Sequence, residues 1–495
     1  MLYLNKNKFR RSGPATECLL CLSNLNSHPW PIYTMVFTEK FAINLEAQRN
    51  QLNLAGILGL NLGLDQVWSF LEASERQLIQ LMDSPVPLSP NTAGNIEFGW
   101  CLFFLNGMMP NVPSEVRFIL KGIKEGLNAL GGVPVSHIIA LQWERWLIRL
   151  DGAGVVKGDG SLVSTAQYAL LDPGWVLSVL QFLLVKLGIR KIVPFNSTSI
   201  PIKILPQPSL RVAVFGDWGT GAYQDGHLAA SPSQQVMQQI SKQAPDIAIH
   251  LGDVYYSGMD VEEQHKLVDS WHHHAPLGNF TLNSNHEMYY GGHGLFKVAL
   301  DPAVSPLFKA QGGATFFSIV FGNWLIIGLD SAYNAPQATM YLDGAVTDPD
   351  QKKLLHQAGV SGKKIMILTH HNPLNEIGDQ QNSLWTDVVS ALGKKPDYWY
   401  FGHVHNGIVY SETSAAGTVK CRCQGNAAIP IGHAAWFDNK PSISFYTNSP
   451  LGDTDPRNAL RIKNGFALLE FTANSVLENW YYQDGSLAWS SQLAG

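Results

Sequence analysis

Residues 246–256 read DIAIHLGDVYY, an apolar run that passes directly into Gly252, Asp253 and a pair of tyrosines. Ile247, Ile249 and Leu251 with Ala248 make a short β-rich segment, and the glycine marks its end. The same arrangement recurs on both sides. Upstream, RVAVFG (211–216) runs into Asp217-Trp218-Gly219. Downstream, NFTLN (279–283) runs into Ser284-Asn285-His286-Glu287, KKIMILT (363–369) into His370-His371-Asn372, and DYWYFG (397–402) into His403-Val404-His405. A further run, NWLIIGL (323–329), and helical stretches at 233–243 and 261–273 lie between them. Strands alternating with helices predict an α/β layered domain. In an open α/β sheet, ligands bind beyond the carboxyl ends of the strands, where these polar residues fall. The terminal GFALLEF, SVLENWYYQDG and SLAWSS read as antiparallel hairpins.

The residues delivered at the strand ends are Asp, Asn, Tyr and His, oxygen and imidazole donors without thiolates. That set suits iron, manganese or zinc rather than a closed cysteine-type zinc site. The five blocks GDWG (216–219), GDVYY (252–256), SNHE (284–287), ILTH (367–370) and GHVH (402–405) resemble the five motifs of the calcineurin-like metallophosphoesterases: GDxG, GDxxY, GNH(D/E), VxxH and GHxH. Within that superfamily they look like the purple acid phosphatases, because Gly219 stands where other branches have a histidine and Tyr256 offers a replacement ligand. The resemblance spans about 209–480. It implies a four-layer αββα metallophosphoesterase sandwich preceded by a mostly α-helical N-terminal domain.

Carried over position by position, the resemblance implies that Asp217, Tyr256 and His405 hold one metal ion. Asn285, His370 and His403 hold a second, and Asp253 bridges both. The implied pair is iron with iron, zinc or manganese. Such a pair lowers the pKa of water toward neutrality and clamps a phosphoryl group, so the implied activity is hydrolysis of phosphate monoesters by hydroxide. His286 would assist the leaving group, with Glu287 holding its ring. His371 and His293 are candidate substrate contacts. His250, inside a strand, reads as a core residue, and His272-His273-His274 as a solvated helix end. Ser284 departs from the motif's glycine; a positive φ there would cost roughly 1 kcal/mol. Ile367 for Val is conservative. Two alternatives stay open: a phosphodiesterase or protein phosphatase on the same site, and a binding module whose metal site is catalytically silent.

The chain has 495 residues, enough for two or three domains. Residues 1–34 read as a leader or tail, 35–193 as a helical domain of unknown role with a candidate protein-interaction or oligomer surface, 194–208 (PFNSTSIPIKILPQP) as a linker, and 209–495 as the metallophosphoesterase domain. In the helical part, Asp65 and Ser114 are candidate N-caps, and Asp172-Pro173 opens a helix that Gly188 closes. A formal net charge of −5 gives no chain-wide basic footprint for nucleic acid. Five cysteines make no disulfide framework. The N-terminal basic residues precede only CLLCL, short for a secretory signal of roughly 7–15 apolar residues, which favours the cytoplasm. No apolar run reaches the roughly 18 residues needed for a membrane span. Asn196-Ser197-Thr198 and Asn279-Phe280-Thr281 are formal glycosylation triplets.

Overall fold

The computed structural model describes residues 155–491, apart from 164–166, 170–174, 187, 189, 198–201, 205–206, 224 and 456–457. The expected leader, the helices capped by Asp65 and Ser114, and the remainder of 35–154 lie outside the described residues.

Two sheets carry the fold. The first has six strands in the order β16-β15-β14-β4-β5-β6. Here β4 is Leu210–Phe215, β5 Ile247–His250, β6 Gly278–Thr281, β14 Gly465–Phe471, β15 Val476–Tyr482 and β16 Leu487–Ser490. β4, β5 and β6 pair in parallel, whereas the C-terminal strands add the antiparallel hairpins expected from their sequence. The second sheet has eight strands in the order β13-β11-β12-β10-β9-β8-β7-β3. These are β3 Ile202–Lys203, β7 Phe317–Phe321, β8 Trp324–Gly328, β9 Lys364–Thr369, β10 Tyr398–Phe401, β11 Gly407–Tyr410, β12 Lys420–Gln424 and β13 Ile443–Tyr446.

The sheets pack face to face. Val212, Val214, Ile249 and Phe280 of one meet Ile326, Met366, Leu368 and Tyr400 of the other in a shared core. The outer faces are also apolar because these strands are buried on both sides, which is why they read as continuous hydrophobic runs. Along β9, Met366 and Leu368 point to the inner core, and Ile365 and Ile367 to the outer one, the period-two alternation of a strand. Helices α5 (Pro349–Gly359) and α6 (Ser383–Leu392) cover that outer face with Leu355, Leu384, Trp385 and Val388. On the other sheet, α2 (Pro232–Gln243) presents Val236, Met237 and Ile240 to Ala213, Phe215 and Ala248. Ser231 starts α2 through a capping box with Gln234, and Pro232 occupies its first turn. The result is the αββα sandwich. One buried ion pair ties its two inner layers: the Arg422 Nε lies 2.7 Å from Glu478 Oε2 and its Nη2 3.0 Å from Oε1, with the Tyr400 hydroxyl donating to the same carboxylate.

Several expectations shift. The helix foreseen at 261–273 is a short turn, α3 (Asp260–Glu262), that continues only to Val268 as a wider coil. The helix foreseen from Asp172 is described as α1, Trp175–Lys186, and Gly188 closes it at φ +71° with its N–H on the Val185 carbonyl. Contacts do not stop at the expected linker. β3 lies inside 194–208 and pairs with β7, α1 packs on α4 (Asn285–Tyr289), and the Tyr168 hydroxyl donates to the Thr220 carbonyl at 2.9 Å. Asn279 is buried in β6, its side-chain oxygen accepting from Trp271 Nε1 and the Ala275 N–H. Cys421 and Cys423 are buried free thiols. Among the described residues, no helix is long and apolar enough to cross a membrane.

Candidate metal centre

The strand-end residues converge above the sandwich. Asp217 follows β4, Asp253 follows β5, Asn285 opens α4 after β6, His370 follows β9, and His403 and His405 follow β10. Asp217, Asp253, His403 and His405 sit at φ +58°, +77°, +67° and +56°. A left-handed conformation costs a non-glycine residue on the order of 1 kcal/mol, and concentrations of such residues mark functional sites. Each chain reverses sharply after its strand, so the side chain turns over the sheet edge instead of continuing along it. Close approach needs glycine: a Cβ on Gly402 would lie 2.6 Å from Asp217 Oδ2, and one on Gly425 2.8 Å from the same atom.

Asp253 stands in the middle. On its Oδ1 side, His370 Nε2 lies 3.2 Å away, and that nitrogen is 2.9 Å from Asn285 Oδ1 and 3.2 Å from His403 Nδ1. On its Oδ2 side, His405 Nε2 lies 3.6 Å away and 3.2 Å from Asp217 Oδ1. Asp217, Asp253 and His370 offer ligand atoms all within 4.8 Å of one another, as do His370, His371 and His403. Asp253 thus lies between two sets of oxygen and imidazole donors, buried except for the half-buried His403 and His405, which fits a pair of divalent or trivalent cations.

The electrostatics fit the same occupant. Burial, and then the charge of Asp253, pushes the Asp217 carboxyl up to about 8. Burial also opposes the charge on Asp253, but His370, His286 and His405 hold its carboxyl well below the usual range. Burial lowers His405, yet hydrogen bonds and charge from Asp217 and Asp253 carry it up to about 10. Burial takes His370 down to about 4 and leaves His403 well below normal, assisted by its histidine neighbours. The Asp217–His405 pair therefore tends to retain a proton at neutral pH, which a bound cation would displace.

The tyrosine at this centre is not the one the motif indicates. The Tyr255 hydroxyl lies 2.9 Å from Asp253 Oδ2, 3.1 Å from His405 Nε2 and 3.4 Å from Asp217 Oδ1. The Tyr256 ring instead packs against Tyr168 and Trp175, at centroid distances of 5.0 and 5.1 Å. Motif spacing counts residues but does not say which of two adjacent tyrosines turns inward. Ser284 also differs from expectation. It adopts φ −135° and ψ 178°, an extended N-cap available to any residue, and accepts the His286 N–H. Its hydroxyl further contacts Asp253 Oδ1 and Glu287 Oε2. Glu287 does not hold the His286 ring; its other oxygen accepts the Val254 N–H.

The His286 ring is held by the backbone. Its Nδ1 donates to the Tyr256 carbonyl at 2.6 Å, leaving Nε2 3.9 Å from Asp253 Oδ2. Burial lowers its pKa despite the neighbouring Asp253. His371 lies beside the centre, 4.8 Å from the His403 ring, but both its nitrogens are engaged, by Ser331 Oγ at 2.9 Å and the Tyr341 carbonyl at 2.7 Å. His293 is turned elsewhere, toward the Lys191 carbonyl at 2.7 Å and Lys297 Nζ at 3.1 Å. His250 is a core residue as expected, bonded through Nδ1 to Thr281 Oγ1.

Residues 210–407 match the family model described as calcineurin-like phosphoesterase. Among solved structures, the chain is similar to a conserved uncharacterised protein of Streptococcus pneumoniae TIGR4, described as a predicted phosphoesterase. That pair shares 9% identity over 58% of this chain and 98% of the other, with a TM-score of 0.24. It is also similar to a single mutant of Vps29 from Entamoeba histolytica, at 14% identity over 57% of this chain and 97% of the other, with a TM-score of 0.24. No curated protein matches the chain.

Proposed function

We propose that the calcineurin-like phosphoesterase domain at residues 210–407 is the core of a two-metal phosphohydrolase that acts on phosphate monoesters. The observation that carries this reading is the placement of Asp253 between His370 at its Oδ1 and His405 at its Oδ2. Asp217, His405 and the Tyr255 hydroxyl form one group; Asn285, His370 and His403 form the other; Asp253 bridges them. Tyr255 takes the place the motif gives to Tyr256, because its hydroxyl is the one among the carboxylates. The oxygen-rich group with a phenol suits ferric iron, and the imidazole-rich group suits iron, zinc or manganese. Such a pair, when bound, activates water and polarises a phosphoryl oxygen.

His286 performs the proton transfer. With Nδ1 committed to the Tyr256 carbonyl, only Nε2 faces the centre, so a proton carried there passes to the departing alkoxide. The lowered pKa of His286 confines this protonated form to acid pH, in keeping with an acid-phosphatase-like enzyme. Steady-state hydrolysis of an aryl monoester and a bis-aryl diester by the metal-loaded chain tests the reading. The monoester should be the better substrate, and His286→Ala should lower kcat by roughly 10²–10⁴-fold with metal content retained. Preference for the diester would assign a diesterase. Undiminished turnover in His286→Ala would remove that residue from the reaction.

A further inference from the structure

The segment before residue 194 reads from sequence as a helical domain of unknown role, yet one of its side chains lies beside the candidate centre. Trp175, the first residue of α1, is half-buried. Its ring lies 5.1 Å from that of Tyr256, 5.7 Å from Tyr255 and 5.7 Å from His286, centroid to centroid. Apart from Tyr168, 6.2 Å away, these neighbours all belong to the loops after β5 and β6 that carry Asp253 and Asn285. The indole N–H is committed to the Ala169 carbonyl at 2.7 Å, which fixes the ring and leaves only carbon surface to offer a ligand. Ser178, one turn further along α1, donates at 2.6 Å to the same Tyr256 carbonyl that receives His286 Nδ1. The helix is thereby registered on the residue expected to meet the leaving group.

An ester with its phosphoryl group beside Asp253 and its leaving oxygen at His286 Nε2 must send the rest of that group past His286. Tyr255 and Tyr289, whose rings lie nearer His286 at 4.7 and 4.9 Å, are buried, whereas Trp175 is only half-buried and is the apolar ring such a group would meet. A planar aromatic group gains stacking there, whereas a small polyol gains little. We propose that Trp175 is a specificity-determining residue that selects esters with planar aromatic leaving groups. This rests on the phosphohydrolase reading and deepens it.

Two measurements on the metal-loaded full chain separate the two claims. In turnover of 4-nitrophenyl phosphate and glycerol phosphate, Trp175→Ala should lower the aryl-to-alkyl ratio of kcat/KM roughly tenfold, mainly through KM, and Trp175→Phe should restore most of it. In calorimetric binding, the parent chain should take phenylphosphonate roughly tenfold more tightly than methylphosphonate, and Trp175→Ala should erase that difference. A proportional loss on both esters, or equal affinity of the parent for both phosphonates, overturns the role of Trp175. Absence of turnover on every phosphate ester with metals bound overturns the phosphohydrolase reading instead.

Discussion

The Tyr255 hydroxyl lies within hydrogen-bond reach of Asp253 and His405, and without a cation it has every reason to keep its proton. Burial first, then the charges of Asp253 and Asp217, raise its pKa well above the ordinary phenol value. A ferric ion held here would reverse that preference and make the tyrosinate a chromophore. On iron loading, Tyr255→Phe should lose the visible tyrosinate band, while Tyr256→Phe should retain it; the opposite pattern would restore the motif's assignment. The same balance between protons and metal governs pH dependence. Asp217 is pushed up to about 8 and His405 to about 10, so at pH 7 the pair holds at least one proton that must leave before both can ligate. Metal affinity should therefore rise with pH from 6 to 8, with roughly a tenfold gain per pH unit for each proton displaced. Calorimetry in buffers of different ionisation enthalpy should show release of at least one proton at pH 7; zero release would contradict the assigned protonation.

At the scale of elements, the strand ends were the legible part. β4, β5, β9 and β10 are largely buried on both faces, so their sequences are mostly apolar and the polar residues that follow are conspicuous, whereas β6 itself carries Asn279 and Thr281. β11, β12 and β13 were not foreseen. Arg422 and Gln424 interrupt the apolar pattern of β12; Arg422 is satisfied by Glu478, distant in sequence, and Gln424 Nε2 donates to Asn426 Oδ1. His293 was unreadable for a related reason: proximity to a motif along the chain does not predict direction, and its ring turns to Lys191. Ser284 looked costly because a glycine was expected at positive φ, but the backbone there is extended and the hydroxyl caps α4. Left-handed backbone occurs instead at Asp217, Asp253, His403 and His405, residue types whose sequence gives no warning of it.

Across the whole molecule, the two sheets meet in one apolar core crossed by a single described tie between β12 and β15, Arg422 to Glu478. Removing one partner leaves a buried charge unpaired. Arg422→Met should destabilise the protein to urea by about 3–5 kcal/mol, and Arg422→Met with Glu478→Leu by much less. Equal losses in the single and double variants would contradict this account of the pair. The contacts from Tyr168, α1 and β3 join residues before 209 to the two sheets, and we propose that the domain begins at or before Tyr168. The net charge of −5 excludes the cations that an anionic substrate would meet, because no residue count contains them. The most direct test is the number of metal ions bound per chain, determined by elemental analysis after equilibrium loading and desalting. Two ions per chain, falling to one or none in Asp253→Ala, is the predicted result. A single ion in the parent chain, or two that survive loss of Asp253, would contradict a dinuclear centre bridged by that carboxylate.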